Sequence, residues 1–213
     1  MLDRWPRGPW VFLCRLWVWA YLGLRIYKAK SWAYRWLFEG RYRDVKVFTY
    51  ATLQLLAARL RPSWYRPDGW RQLFDAVSYP GRVEAIWESG VPPKDGLDCD
   101  EYAIYSVAAV EKSLASGLMR GEGITNPRLM TVMWLCADAW RPEGHNVCLM
   151  EVPQGEGRFS KWTYMDYGNP GPHYESYADV ATAIVTWYAG GPAVLLGYAV
   201  QRLDLTPEVV YWG

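Results

Sequence analysis

The sequence predicts an α+β fold, with helices first and an antiparallel sheet after them. Two observations carry this. Before residue 116 the apolar residues form long runs or helically spaced sets, with capping and stop residues at their ends. From residue 128 onward, "RLMTVMWLCA", "HNVCLMEV", "KWTYMDY" and "AVLLGYAVQRL" are short runs rich in β-branched and aromatic residues, most of them separated by polar turn clusters such as "RPEG", "PQGEGRFS" and "GNPGP". Helices followed by a meander of that kind place the chain in the α+β class.

Taken in order, the N-terminal stretch "PWVFLCRLWVWAYLGLRIYKAKSWAYRWLF" is the most apolar part of the chain. Even positions from Trp10 to Ile26 are all apolar, which suits a strand, yet the length suits a helix rimmed by Trp, Tyr and Arg. Arg15 interrupts the run and Arg25 closes it, short of the roughly 20 apolar residues a spanning helix needs. No small-residue cleavage site follows, so neither a signal peptide nor a full span is expected. Residues 1–43 read as an appended aromatic segment, with 9–38 a candidate for docking on a membrane surface or a protein partner. A cytoplasmic or membrane-peripheral location is the corresponding expectation. Residues 44–213 read as the main domain. Within it, "VFTYATLQLLAARLRPS" predicts an amphipathic helix stopped by Pro62, and a second helix runs from Pro80 to Ser89. Pro80 suits its first turn and Gly90 its end. A third helix opens at "DCDE", and "YADVATAIVTWYAG" inserts a fourth among the strands, closing at Gly190.

The composition narrows the function. The chain has 213 residues, enough for a sizeable core, and 51% of them are hydrophobic. Its 23 basic and 22 acidic residues nearly cancel, which gives no electrostatic basis for nucleic-acid binding. The 14 Trp and 16 Tyr are an unusual load, suited to a packed core, a membrane-facing surface or a partner site. Four cysteines show neither a C-x-x-C pair nor zinc spacing. Cys136 and Cys148 sit inside apolar runs as small core residues, and nothing favours a disulfide between them. Only two histidines are present, His145 and His173, and His173 lies in a Gly/Pro loop.

Cys99 stands apart from the other cysteines. Asp98 is a good N-cap and Glu101 stands three positions later, so "DCDE" reads as a capping box with Cys99 at the first helical position. Unpaired N–H groups and the helix dipole favour a thiolate there, while Asp98, Asp100 and Glu101 oppose one. A nearby imidazole would tip the balance, and His145, at the start of a predicted strand, supplies the candidate. Asp166 ends the next predicted strand. If the two strands pair as an antiparallel hairpin, His145 and Asp166 come alongside each other. Asn169 is a rival orienter for the ring. For an oxyanion, the Cys99 N–H is one donor, and Trp64, Trp70 and Trp87 are candidates for a second. Asp98, Asp100 and Glu101 also cluster oxygen ligands of the kind calcium takes, although capping and solvation account for them more economically. No cofactor is otherwise expected.

The blocks "DCDEYA", "GHNVCLMEV" and "YMDYG" resemble the three signature blocks of the transglutaminase-like superfamily of papain-like cysteine enzymes. The likeness covers roughly Val47 to Leu203 and looks closest to the bacterial transglutaminase-like cysteine proteinases and related phage proteins. It implies a papain-like core in which the nucleophile opens a helix packed on an antiparallel sheet. It also implies roles: Cys99 as nucleophile, His145 as general base and acid, and Asp166 as orienting residue. One departure is Asn146, where the group more often carries a small or apolar residue. The expected activity is hydrolysis of peptide amides through a thioester, with a peptide or protein as substrate. A protein-glutamine crosslinking enzyme and a non-catalytic scaffold that keeps the fold are the alternatives.

Overall fold

The computed structural model describes residues 8–24, 26–60, 62–65, 77–93, 97–154 and 160–212. The N-terminal run, open to strand or helix from its pattern, is helical: α1 spans Gly8–Gly23 and α2 spans Ile26–Phe38. α1 is apolar around most of its circumference, with Arg15 its one charged residue, and it buries the stripe Cys14, Val18 and Leu22 against Met133, Leu135, Leu196 and Ala199 of the sheet. At that contact Gly197 lets the helix in. A Cβ there would stand 3.1 Å from Val18 Cγ1 and 2.5 Å from the Tyr211 carbonyl oxygen. Of the appended aromatic segment, α1 is thus packed onto the sheet.

The helix read across 47–63 is shorter than its pattern. α3 spans only Leu53–Arg59, with the Thr52 side chain accepting from Leu55 N–H as its N-cap. Residues ahead of it are extended because other groups take their amides. Phe48 N–H donates to Glu84, and Tyr50 N–H donates to Ser113 Oγ. α4 (Pro80–Ser89) begins and ends as its sequence requires, with Pro80 in the first turn and Gly90 at φ 69° closing it. α5 (Cys99–Ala115) is the central helix, buried on several sides.

The strands are β1 (Thr125–Cys136), β2 (Glu143–Val152), β3 (Lys161–Asp166), β4 (Asn169–Pro170), β5 (Ala193–Gln201) and β6 (Pro207–Trp212). They form one antiparallel sheet in the order β4-β3-β2-β1-β5-β6, and α6 (Tyr177–Tyr188) connects β4 to β5. Alternation along β1 sorts the two faces. Leu129, Met133 and Leu135 meet the α5 and α1 side, whereas Met130, Val132 and Trp134 meet Val180, Ala181 and Ile184 of α6. The two edge strands have no clear sequence signal. β4 is two residues inside a turn cluster, and β6 opens on Pro207, which is tolerated at an edge. Among the described residues no helix is long and apolar enough to cross a membrane. The outward face of α2 carries Trp32 and Trp36, stacked at 6.4 Å, beside exposed Leu37 and Phe38.

One buried acid ties the helices together. Glu84 of α4 is fully buried and accepts from Phe48 N–H at 3.0 Å, Arg59 Nη2 at 2.9 Å and the Tyr105 hydroxyl of α5. Glu84→Ala leaves three donors without their acceptor. It should lower unfolding stability by about 2–4 kcal/mol in a urea titration, with Glu84→Gln losing less.

Candidate functional site

The site grows from the mouth of α5. Asp98 caps the helix: its Oδ1 accepts from Asp100 N–H and Glu101 N–H, and Glu101 Oε2 accepts from Asp98 N–H, completing the capping box read in the sequence. Cys99 is therefore the first helical residue, half-buried, with its side chain at the helix mouth. The acids expected to oppose a thiolate are each engaged. Glu101 Oε1 accepts from Arg82 Nη1 at 2.7 Å and from Ser78 Oγ at 2.9 Å. Asp100 turns inward and accepts from the Tyr27 hydroxyl of α2 at 3.1 Å and from Asn146 Nδ2 of β2. The Cys99 sulfur stands 3.8 Å from Asp100 Oδ1 and 4.0 Å from Asn146 Nδ2.

β2 and β3 pair as the predicted hairpin, with Cys148 opposite Met165. One more step along that register sets Asp166 against Val147, so His145 is its diagonal neighbour on the same face. His145 Nε2 donates to Asp166 Oδ1 at 2.9 Å. This hydrogen bond uses one ring nitrogen and leaves Nδ1 as the atom able to accept a proton. The ring is buried and held between aromatics, 4.0 Å from Tyr188 of α6 and 5.4 Å from Tyr167, centroid to centroid.

Asp166 has a second partner with no counterpart among the sequence candidates. The Tyr188 hydroxyl donates to its Oδ2. Burial, then the bond to Asp166, push the Tyr188 hydroxyl well above its ordinary range, so it stays a donor. Nothing near Asp166 in the sequence points to a tyrosine at the end of a later helix. Tyr167 and Gly168 form the turn between β3 and β4, both at positive φ, 45° and 88°. That is the type I′ pattern, which favours Asn, Asp or Gly at the position Tyr167 holds. The strained turn sets the Tyr167 ring against His145, Tyr102 and Tyr65.

Cys99 and His145 lie on the wall of one cavity of about 630 Å³. Tyr65, Asp98, Asn146 and Tyr188 line it as well, and Trp10, Leu13 and Trp17 of α1 form another wall. Asn146 has a structural role: its Oδ1 accepts from Thr131 Oγ1 at 2.5 Å while its Nδ2 serves Asp100.

Several expected residues are elsewhere. Trp87 is fully buried in the core, edge-on to Tyr105 at 4.4 Å, and does not line the cavity that holds Cys99. Trp64 is half-buried against the same core and is not on the cavity wall. Trp70 lies outside the described residues. Asn169 is exposed on β4, and Asp166 already takes the ring nitrogen it would have served. Asp98, Asp100 and Glu101 point to three different sets of partners, and among the described residues no three metal-type side chains converge on one point. Compared with known proteins, no family model matches the chain, and no curated protein matches it.

Burial separates the four thiols. Cys14, Cys136 and Cys148 are buried, and desolvation pushes each thiol up from its ordinary value. In the native protein at neutral pH, iodoacetamide should therefore modify Cys99 about tenfold faster than any of the other three, read by peptide mapping. Equal labelling of all four would contradict the half-buried setting of Cys99 against three buried thiols, of which Cys14 also borders the cavity.

Proposed function

We propose that the protein is a cysteine hydrolase with a transglutaminase-like, papain-like core, acting on peptide amides. The observation that carries the reading is the His145–Asp166 bond of 2.9 Å on a ring that shares a cavity with the only half-buried thiol among the four. Its order of parts, a sulfur at a helix mouth and a ring on the adjoining sheet, supports the same reading.

Cys99 is the nucleophile. His145 Nδ1 takes the thiol proton as the sulfur attacks the scissile carbonyl, forming the S–C bond. When the C–N bond breaks, the imidazolium returns that proton to the leaving amine, and an acyl thioester remains on Cys99. Water then attacks the thioester, His145 removes its proton, and the carboxylic acid departs as the thiol is restored. Asp166 holds the ring in the tautomer with Nε2–H and stabilises the imidazolium; Tyr188 holds Asp166 from its other oxygen. The amide N–H of Cys99 at the first helical turn is the natural oxyanion donor. Tyr65, on the cavity wall, replaces the tryptophans as the side chain assigned to a second donor. The exposed aromatic face of α2 is the surface left for docking on a membrane or a partner.

The test incubates wild type and Cys99→Ala with a peptide library and with amine donors, reading products by mass. Wild type should release new carboxyl termini, and Cys99→Ala should release none. His145→Ala and Asp166→Ala should cut kcat/KM by roughly 10²–10⁴. Amine incorporation without hydrolysis would assign crosslinking instead, and silence of the wild type would favour the scaffold. Tyr188→Phe keeps the ring stack and loses only the bond to Asp166, so its effect should be about tenfold or less.

A further inference from the structure

We propose that the cavity beside Cys99 is a recognition pocket for an aromatic side chain of a peptide substrate, next to the bond that is cut. The proposal rests on the amide-hydrolase reading and names the substrate class for it.

The cavity has a volume of about 630 Å³, within the range of small-ligand sites. Its apolar walls come from two unrelated parts of the chain. Trp10, Leu13 and Trp17 recur at helical spacing along one face of α1, while Met133, Trp134 and Trp140 come from β1 and the loop after it. Trp10 and Trp140 meet across the opening at 6.4 Å. Both are left in water at the mouth, Trp140 at 83% exposure. Large aromatic rings held in water at the entrance of a cavity mark a surface that gains from being covered.

Several polar groups on these walls are committed elsewhere, and Arg141 of the loop after β1 is a charged side chain on the wall. Asp98 caps α5, Asn146 bonds Thr131 and Asp100, and Glu143 accepts from Trp134 Nε1 at 3.2 Å. The rings Trp10, Trp17, Trp134 and Trp140 make up most of the apolar wall, and recognition falls chiefly to them. Indole faces and edges favour an aromatic occupant over an aliphatic one, because offset and edge-on pairs add to the gain from burial alone. Cys99 stands on the wall of the same cavity, so an occupant held there lies next to the sulfur.

The experiment uses the whole protein and reads modification of Cys99 by mass, so it does not depend on turnover. N-ethyl-, N-hexyl- and N-benzylmaleimide are compared, each rate divided by its rate with glutathione. The benzyl reagent should modify Cys99 about tenfold faster than the ethyl one. Trp17→Ala and Trp140→Ala should each remove most of that preference. Trp140 is a surface side chain, so its loss leaves the packing intact. No benzyl preference, or one that survives both substitutions, overturns the proposal. A hexyl reagent faster than benzyl overturns the aromatic assignment in favour of an aliphatic acyl chain. The peptide library supplies the second arm, where cleavage should fall beside Phe, Tyr or Trp. Cleavage indifferent to that residue also overturns the proposal. A benzyl preference with no peptide cut sustains the pocket and defeats the hydrolase reading, so the two fail separately.

Discussion

The arrangement depends on a buried hydrogen-bond chain behind the mouth of α5. Tyr27 of α2 donates to Asp100, Asn146 of β2 donates to the same carboxylate, and Thr131 of β1 donates to Asn146. Gln201 of β5 reaches Thr131 at 3.4 Å and extends the chain to a further strand. Satisfied polar groups in a low-dielectric interior are demanding of geometry, since a partner removed leaves its mate unpaired at a cost of about 1–3 kcal/mol. The chain thus fixes where the first turn of α5 stands relative to the sheet, and Cys99 with it. A second set, Ser78, Arg82 and Glu39 around Glu101, holds the other side of the same turn.

On the sheet, a different device places the imidazole. His145 has one nitrogen engaged by Asp166 and its faces against Tyr188 and Tyr167, which leaves little rotational freedom. Asp166 is held in turn by the Tyr188 hydroxyl. The strain in the Tyr167 backbone is compensated by three ring contacts and by Gly168, where a Cβ would approach the Ala57 carbonyl oxygen to 2.9 Å. The turn residues therefore serve the site as well as the hairpin.

Much of this was legible in the sequence, and the limits have physical causes. Asp98, Glu101, Pro80 and Gly90 marked helix ends because capping is local chemistry. The His145–Asp166 approach was readable because an antiparallel hairpin turns spacing into geometry. Tyr188 was invisible, since its contact with Asp166 depends on where a whole helix docks. Asn146 looked like a departure because its partners, Asp100 and Thr131, belong to other elements. Alternation in the N-terminal run misled in a similar way. A segment apolar around most of its circumference satisfies both periods, and only its packing on Met133, Leu135 and Leu196 settles the matter in favour of a helix. Trp87 sits in the core and not on the cavity wall, since a ring with a polar edge suits either place.

The bare backbone at Gly197 has a consequence beyond packing. α1 rests directly on the strand there, with Val18 in the space a side chain would fill, so the helix sits as low on the sheet as contact allows. Val18 adjoins Trp17 on that helix, so the bare strand position also governs how near this wall of the cavity comes to the sheet. A methyl group introduced at that strand position would act as a shim, pressing on Val18 of α1 at 3.1 Å and on the Tyr211 carbonyl oxygen of β6 at 2.5 Å.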